Sequence, residues 1–308
     1  MTVRVASYNL WNGASDTYFR LVDFAKEQKY DVLCLQEING WQDDDFARLK
    51  DFADRAGYTT YQYGNSNSEY KLVTLTTLPV VSQTVHQEGF WHCVVETHVR
   101  LDDTELAIFN LHLDPWKEDP RVKEIEKVLA KVDPNKPTIL TGDFNSVSRQ
   151  DNYPPEFMAE LQRRKIYKFG QDDLDFRVTD RLASAGFVDV AAKLGHLDIT
   201  APTPYGQSET KEEVPVTADE APARIDYMFV SGNLMSLVQD LDVVKDASTD
   251  KISDHYPVVL TLGTEEPKPE SAPKPVAEAL PEVQPAPQPK LEAQPQNPNP
   301  EGELKIEH

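Results

Sequence analysis

Hydrophobic and polar positions alternate along this chain in two rhythms, one of period two and one close to four. Val3-Arg-Val-Ala-Ser-Tyr-Asn9 follows the first and reads as a half-buried strand that ends on an amide. A helix capped by Asp16 is expected through Tyr30, with Phe19, Leu21 and Val22 on its apolar side. Asp31 to Glu37 is a second, buried strand that closes on an acid, and Asp43 to Ala56 is a helix with Gly57 in its C′ position. From Tyr58 to His112 the rhythm is β: Tyr58–Tyr63, Tyr70–Thr77, Val80–His86, Phe90–Leu101 and Glu105–His112. Short turns such as Asp102-Asp103 favour antiparallel neighbours there. Pro120 to Val132 returns to the helical rhythm, with Val122, Ile125, Val128 and Leu129 on one stripe. Thr138, Ile139 and Leu140 form a short apolar run that Gly142 is expected to break. Two or three helices between Tyr153 and Leu194, a short strand at Gly186-Phe-Val-Asp-Val and a long surface loop from Thr200 to Pro222 follow. Strands at Arg224–Val230, Leu241–Lys245 and Tyr256–Leu262 close the pattern.

Beyond Gly263 the rhythm stops. Residues 264–308 hold eleven of the 23 prolines, nine acids, four lysines and no aromatic residue. Such a segment buries too little apolar surface to offset its chain entropy, so a disordered, partly polyproline-like tail is expected after a single domain of residues 1–263. The whole chain carries 31 basic and 52 acidic residues, a net −21, of which −16 falls on the body. That acidity disfavours long polyphosphate partners unless cations gather locally or a metal intervenes. Cys34 and Cys93 sit in apolar runs without a CxxC partner and read as core residues of a reducing compartment. No run approaches membrane-spanning length, and strand pattern begins by Val3, which leaves no room for a signal peptide. A cytoplasmic location is the resulting expectation.

Several of these strands begin or end on residues with catalytic chemistry. Asn9 and Glu37 end the first two, and His112 ends the fifth β run in Asn-Leu-His-Leu-Asp114. Asp143 and Asn145 follow the central run in Gly142-Asp-Phe-Asn145. Asp226 opens a late strand, and Asp254 and His255 precede the last. Singly, each has an ordinary reading: Asn9 and Asp254 as turn residues, Glu37 as a helix-start acid, Asp226 as an ion pair to Arg224, His112 as a core histidine. Their joint placement at strand ends, where loops carry chemistry on a rigid scaffold, points to one rim.

In that order the residues resemble the endonuclease/exonuclease/phosphatase (DNase I-like) superfamily. The likeness runs from Tyr8-Asn9 through Leu35-Gln-Glu37 and Gly142-Asp-Phe-Asn145 to Ser253-Asp-His255. The resemblance implies an α/β (α+β) four-layered sandwich, two mainly antiparallel sheets face to face with helices outside. It also implies Mg²⁺-dependent phosphoester hydrolysis, with Mn²⁺ as a substitute. On that pattern Glu37, Asn9 and Asp254 hold the metal or its water, which suits a hard, oxygen-liking cation. Asp143, helped by Asn145, orients the attacking water. His255, fixed by Asp226, contacts the phosphoryl oxygens, and His112 faces the phosphate from the other side. The pattern also pairs His112 with Glu69, although a solvated strand-edge acid is an equal reading. Two such pairs would make both histidines titrate above an unpaired one.

Three functions remain open on the sequence. A phosphodiesterase or phosphatase on a small or lipid phosphoester ranks first, a nuclease second and a catalytically silent binding module last. His112 stands where AP endonuclease-like members usually carry tyrosine, which favours the histidine-bearing branches. Arg163-Arg164-Lys165 with Lys168 is the one local basic cluster, read first as a solvated helix face and second as a backbone-binding patch. Trp11 and Trp41 either stack on a substrate or cap the core. The tail is a spacer, a solubiliser or a docking segment for a protein groove that reads polyproline.

Overall fold

A computed structural model describes residues 2–209 and 222–263. In order these form β1 (Thr2–Asn9), α1 (Tyr18–Gln28), β2 (Val32–Gln36), α2 (Asp43–Ala56), β3 (Thr60–Gly64), β4 (Leu72–Thr76), β5 (Val80–His86), β6 (Val94–Leu101) and β7 (Thr104–His112). Then come α3 (Glu118–Leu129), β8 (Thr138–Asp143), α4 (Pro155–Arg164), α5 (Arg177–Ser184), β9 (Phe187–Asp189), α6 (Val190–Leu194), α7 (Pro204–Glu209), β10 (Asp226–Ser231), β11 (Val238–Val243) and β12 (Val258–Gly263). The tail and its expected disorder lie outside the described residues.

The strands make two six-stranded sheets, ordered β11-β12-β1-β2-β4-β3 and β5-β6-β7-β8-β10-β9. Each is antiparallel except for one parallel pair, β1 with β2 and β7 with β8. Period-two alternation gives every central strand two buried faces. Val3, Val5, Val32, Cys34, Ile108, Ile139, Val230 and Leu260 meet between the sheets. On the outer faces, Tyr8, Leu33 and Leu35 pack under α1 and α2 against Leu21, Phe24 and Phe52. Phe109, Leu140 and Phe229 pack under α3 and α5 against Ile125, Val128 and Leu182. The four-layered sandwich expected from the sequence is therefore the fold.

The inter-sheet face changes character along its length. Residues two apart run Val3, Val5, Ser7, Asn9 on β1 and Leu106, Ile108, Asn110, His112 on β7, from apolar to polar toward the same end. The Gln36 amide there donates to Ser7 Oγ (3.1 Å) and Asn110 Oδ1 (2.7 Å), and Asn110 donates to the Val73 carbonyl (3.0 Å). This buried polar layer ends the apolar core and floors a cleft. Most of its groups are paired, as buried polar groups usually are, with Gln36 Oε1 the exception among these three side chains.

Three expectations change in detail. Gly142 does not break its strand, because β8 runs through it to Asp143. The Thr200–Pro222 loop is not wholly a surface loop: Thr200 to Thr203 are buried, Ala201 bridges Ala223, and α7 follows. Residues 210–221 of it lie outside the described residues. Phe19, expected on the inner side of α1, is 69% exposed. No helix among the described residues is long and apolar enough to cross a membrane, and Cys34 and Cys93 are buried free thiols.

Candidate active site

β1, β2, β7 and β8 all run toward the polar end, so their last residues meet there. Gly142 sets the closest approach. At φ +137° it lies against β7 so tightly that a Cβ would stand 1.9 Å from the Leu111 carbonyl oxygen. Only glycine fits, and the next residue, Asp143, comes opposite His112 in the parallel register. Asp143 also faces Asp226, the first residue of β10.

Asp143 is the centre of the arrangement. Its Oδ2 accepts from the Asn9 amide at 3.0 Å and lies 3.5 Å from His112 Nε2 and 3.9 Å from His255 Nε2. Its Oδ1 accepts from the backbone N–H of Asn145 at 2.8 Å. Asn145 Nδ2 donates to the Leu113 carbonyl (3.3 Å). Glu37 Oε1 accepts from the same Asn9 amide (3.2 Å), and Oε2 from the Asn12 N–H (3.1 Å). Asn9 Oδ1 is taken by the Trp11 N–H (3.0 Å). Asn9 thus bridges two carboxylates through its amino group, whereas the sequence offered it as an oxygen ligand. Ser253 Oγ donates to the Asn9 carbonyl (2.7 Å) and ties the Asp254-His255 segment to the end of β1. Glu37 and Asn145 both hold left-handed backbone, φ 56° and 50°, a strained conformation for non-glycine residues that marks sites held by their surroundings.

His255 donates through Nδ1 to Asp226 Oδ2 at 2.8 Å, which turns Nε2 toward Asp143 and Asp254. Burial opposes its charge, but the carboxylates of Asp226, Asp254 and Asp143 outweigh it and hold the imidazolium well above the ordinary histidine range. Glu37 is shifted in the same direction, which in a carboxyl favours the neutral form. Burial, with Asp254 beside it, pushes its carboxyl up to about 7 against the opposing pull of His255 and its hydrogen bonds.

All the sequence-derived candidates except Glu69 gather here. Glu69 is exposed, in the irregular segment that precedes β4 at Leu72. The place beside His112 is taken by His92, stacked ring on ring at 3.9 Å and 13°, with its Nδ1 2.6 Å from Ser68 Oγ. His112 Nδ1 has no hydrogen-bond partner among the described residues. The expectation that both histidines titrate high is therefore overturned for His112. Burial, then the charges of His255 and Lys168, push it down to about 3.

The cleft above these residues encloses about 550 Å³ and is lined also by Trp11, Asn12, Tyr70, His92, Trp116 and residues 164–168. No motif singled out His92: the strand expected from Phe90 begins only at Val94, which leaves this histidine in the turn before β6. The basic cluster splits: Arg163 pairs with Glu160 on the solvated face of α4, while Arg164, Lys165 and Lys168 reach the cleft. Trp41 is a core residue whose Nε1 donates to the Gly13 carbonyl (2.9 Å).

Two carboxylate groupings bear on a metal. Asp143, Asp226 and His255 bring ligand-type atoms within 4.8 Å of one another. However, His255 Nδ1 is already committed to Asp226, so this trio is a hydrogen-bonded relay before it is a cage. Glu37 and Asp254 fit a cation better. Glu37 is a half-buried and Asp254 a buried oxygen donor, the charge of Asp254 raises the cost of ionising Glu37, and Glu37 has no lysine or arginine among its hydrogen-bond partners in the described residues. A hard divalent ion relieves that crowding.

The profile of the Endonuclease/Exonuclease/phosphatase family matches residues 6–255. No curated protein sequence matches the chain. Among solved structures, an AP endonuclease from Archaeoglobus fulgidus is similar with a TM-score of 0.63 at 17% identity, over 84% of this chain and 99% of that one. A family protein from Bacteroides thetaiotaomicron gives 0.58 at 21%, over 85% and 97%. Truncated TDP2 from Caenorhabditis elegans gives 0.55 at 17%, also over 85% and 97%. At these identities the structural likeness speaks to the fold.

Proposed function

The chain belongs to the endonuclease/exonuclease/phosphatase family, whose members are typically divalent-metal-dependent hydrolases of phosphoester bonds, and on that premise we propose that it is a Mg²⁺-dependent phosphodiesterase. The observation that carries the reading is Asp143, an acid held by two hydrogen bonds between two imidazoles of opposite character. Glu37 and Asp254 would hold the cation, with Asn9 fixing Glu37. When bound, the ion supplies Lewis-acid polarisation of a phosphoryl oxygen. Mn²⁺ satisfies the same oxygen donors. Asp143, aimed by Asn9 and the Asn145 N–H, orients water and takes its proton as the oxygen bonds to phosphorus. The P–O bond to the leaving group breaks with its electron pair. The His255 imidazolium stands where charge develops on the phosphoryl oxygens, and Asp226 keeps it charged and fixes the ring through Nδ1. His112, neutral, lies on the far side of Asp143.

The buried free thiols of Cys34 and Cys93 support a reducing, cytoplasmic setting. The test is hydrolysis of bis-p-nitrophenyl phosphate against p-nitrophenyl phosphate, with Mg²⁺, Mn²⁺ or EDTA, in the full chain and in Asp143→Ala. Faster diester than monoester turnover, lost in EDTA and in the variant, is expected. EDTA-resistant turnover, or an active Asp143→Ala enzyme, would falsify the mechanism.

A further inference from the structure

The stacked rings of His92 and His112 lie just past the end of their sheet pairing. The β6–β7 ladder stops at Val94 opposite Leu111 and does not reach either residue. No side-chain bond joins the rings, because His92 Nε2 and His112 Nδ1 are both without partners among the described residues. Their other nitrogens go elsewhere, to Ser68 Oγ and toward Asp143. What fixes the two backbones is a carboxylate on α3. Glu124, 3% exposed, accepts the Trp91 N–H on Oε1 (2.6 Å) and the Asp114 N–H on Oε2 (2.8 Å). The residue before His92 and the second residue after His112 are thus held by one side chain.

The same row of α3 grips the loops on either side, at steps of three residues that share a helix face. Glu118 accepts from Ser146 Oγ (2.8 Å) and the Val178 N–H (3.0 Å). Arg121 donates to the Asp114 carbonyl (2.9 Å) and to the Lys168 carbonyl, and Lys127 to the Gly89 carbonyl (2.7 Å). Packing alone does not call for an acid at the centre of this row. Burial, with the charge of Asp114, pushes the Glu124 carboxyl up to about 7 against its two N–H bonds and Arg121. No lysine or arginine bonds to it among the described residues. A buried group so costly to ionise is explained by bonds that an apolar side chain of its size cannot make.

We propose that Glu124 is a positioning residue: its carboxylate brackets the turn of His92 and the loop after His112, and so keeps the His112 ring stacked and 3.5 Å from Asp143. This rests on the phosphodiesterase reading, which gives His112 its task, and deepens it. Glu124 touches no reacting atom and acts through the two backbones it holds. A ring displaced by about 1 Å loses much of its contribution to a reaction.

The experiment compares the full chain with Glu124→Gln, which keeps one acceptor oxygen, and Glu124→Met, which fills the space with none. In NMR spectra of histidine-labelled protein, each stacked ring shields the protons of the other. That ring-current shift should persist in Glu124→Gln and be lost in Glu124→Met. On bis-p-nitrophenyl phosphate, Glu124→Met should lose about tenfold or more in kcat with KM within about twofold, and Glu124→Gln should recover most of that loss. Hydrogen exchange in the unaltered chain supplies a measurement that no folding defect can spoil. The Trp91 and Asp114 amides should be protected although they lie outside the strands. Spectra and exchange read the bracket even in a protein that hydrolyses nothing, so an inactive wild type removes the phosphodiesterase reading and leaves the bracket to these two measurements. An intact stack or unchanged kcat in Glu124→Met, a Glu124→Gln variant as impaired as Glu124→Met, or unprotected Trp91 and Asp114 amides overturns the proposal.

Discussion

His255 and His112 approach the same Asp143 oxygen from two sides, at 3.9 and 3.5 Å, and are held in opposite ways. His255 leans on a buried carboxylate, Asp226, and is kept protonated. His112 leans on another neutral ring, His92, with its Nδ1 unpaired, and burial keeps it neutral. Both rings are buried to a similar degree, so desolvation alone does not distinguish them. The neighbour decides: a carboxylate overcomes the desolvation cost of an imidazolium, and a second imidazole adds to it. The His255 side of the cleft is thus built to supply charge, and the His112 side to supply shape and a neutral nitrogen.

The sharpest way to break this contrast is to delete each ring. His255→Ala should lower kcat on bis-p-nitrophenyl phosphate by about 10³-fold, since a charged transition-state donor is removed. His112→Ala should cost roughly 10-fold to 10²-fold, in the range of a neutral polar contact. Equal losses would mean that the two rings share one task. Asp226→Asn comes next. The amide oxygen can still accept from Nδ1, but it no longer supports the positive charge, and a drop of about 10²-fold in kcat with little change in KM is expected. Circular dichroism of each variant separates these losses from unfolding.

The charged half of this comparison was legible in the sequence and the neutral half was not, for physical reasons. Asn9, Asp143 and Asp226 lie at ends of β1, β8 and β10, where period two fixes the face each takes, and His255 stands in the short turn that leads into β12. Once Gly142 was seen, the position of Asp143 followed, though its role proved to be close approach within a strand and not strand-breaking. His92 lies in a turn, where no period points a side chain. Its pairing with His112 depends on where residues 66–70 go, which Ser66, Ser68 and Lys71 settle by local hydrogen bonds. Residues 164–168 read alike whether they face solvent or a cleft; the Arg121 link, 47 residues distant, decides. Thr200 to Thr203 look polar enough for a surface loop, yet the Thr203 N–H donates to the Asp254 carbonyl and its hydroxyl to the Ser253 carbonyl, long-range bonds that bury them.

His92 gives a smaller, thermodynamic test of the same contrast. Burial, reinforced by His112, holds it neutral and depresses its pKa far below that of the unfolded chain. The unfolded state then binds the extra proton, so stability is intact above about pH 6.5 and is lost as pH falls below it. At pH 5.5 this amounts to about 1.4 kcal/mol relative to pH 7.5. His92→Asn removes the titration, so urea midpoints of wild type and variant should diverge between those pH values by that amount. Parallel curves would show that His92 is already protonated in the fold.

The smallest effect is expected at Glu69. The family pattern places a carboxylate beside His112, and if Glu69 played that part its loss would resemble Asp226→Asn. In this fold Glu69 is exposed and the ring of His92 occupies the place. An exposed carboxylate contributes little across high-dielectric solvent, so Glu69→Gln should change kcat/KM by less than about twofold and unfolding by less than about 0.5 kcal/mol. Steady-state rates at 50 and 300 mM salt test this, because a residual field effect is screened at the higher salt whereas a direct contact to His112 persists. A loss of about tenfold or more, insensitive to salt, would restore the second histidine–carboxylate pair and erase the asymmetry between the two sides of Asp143.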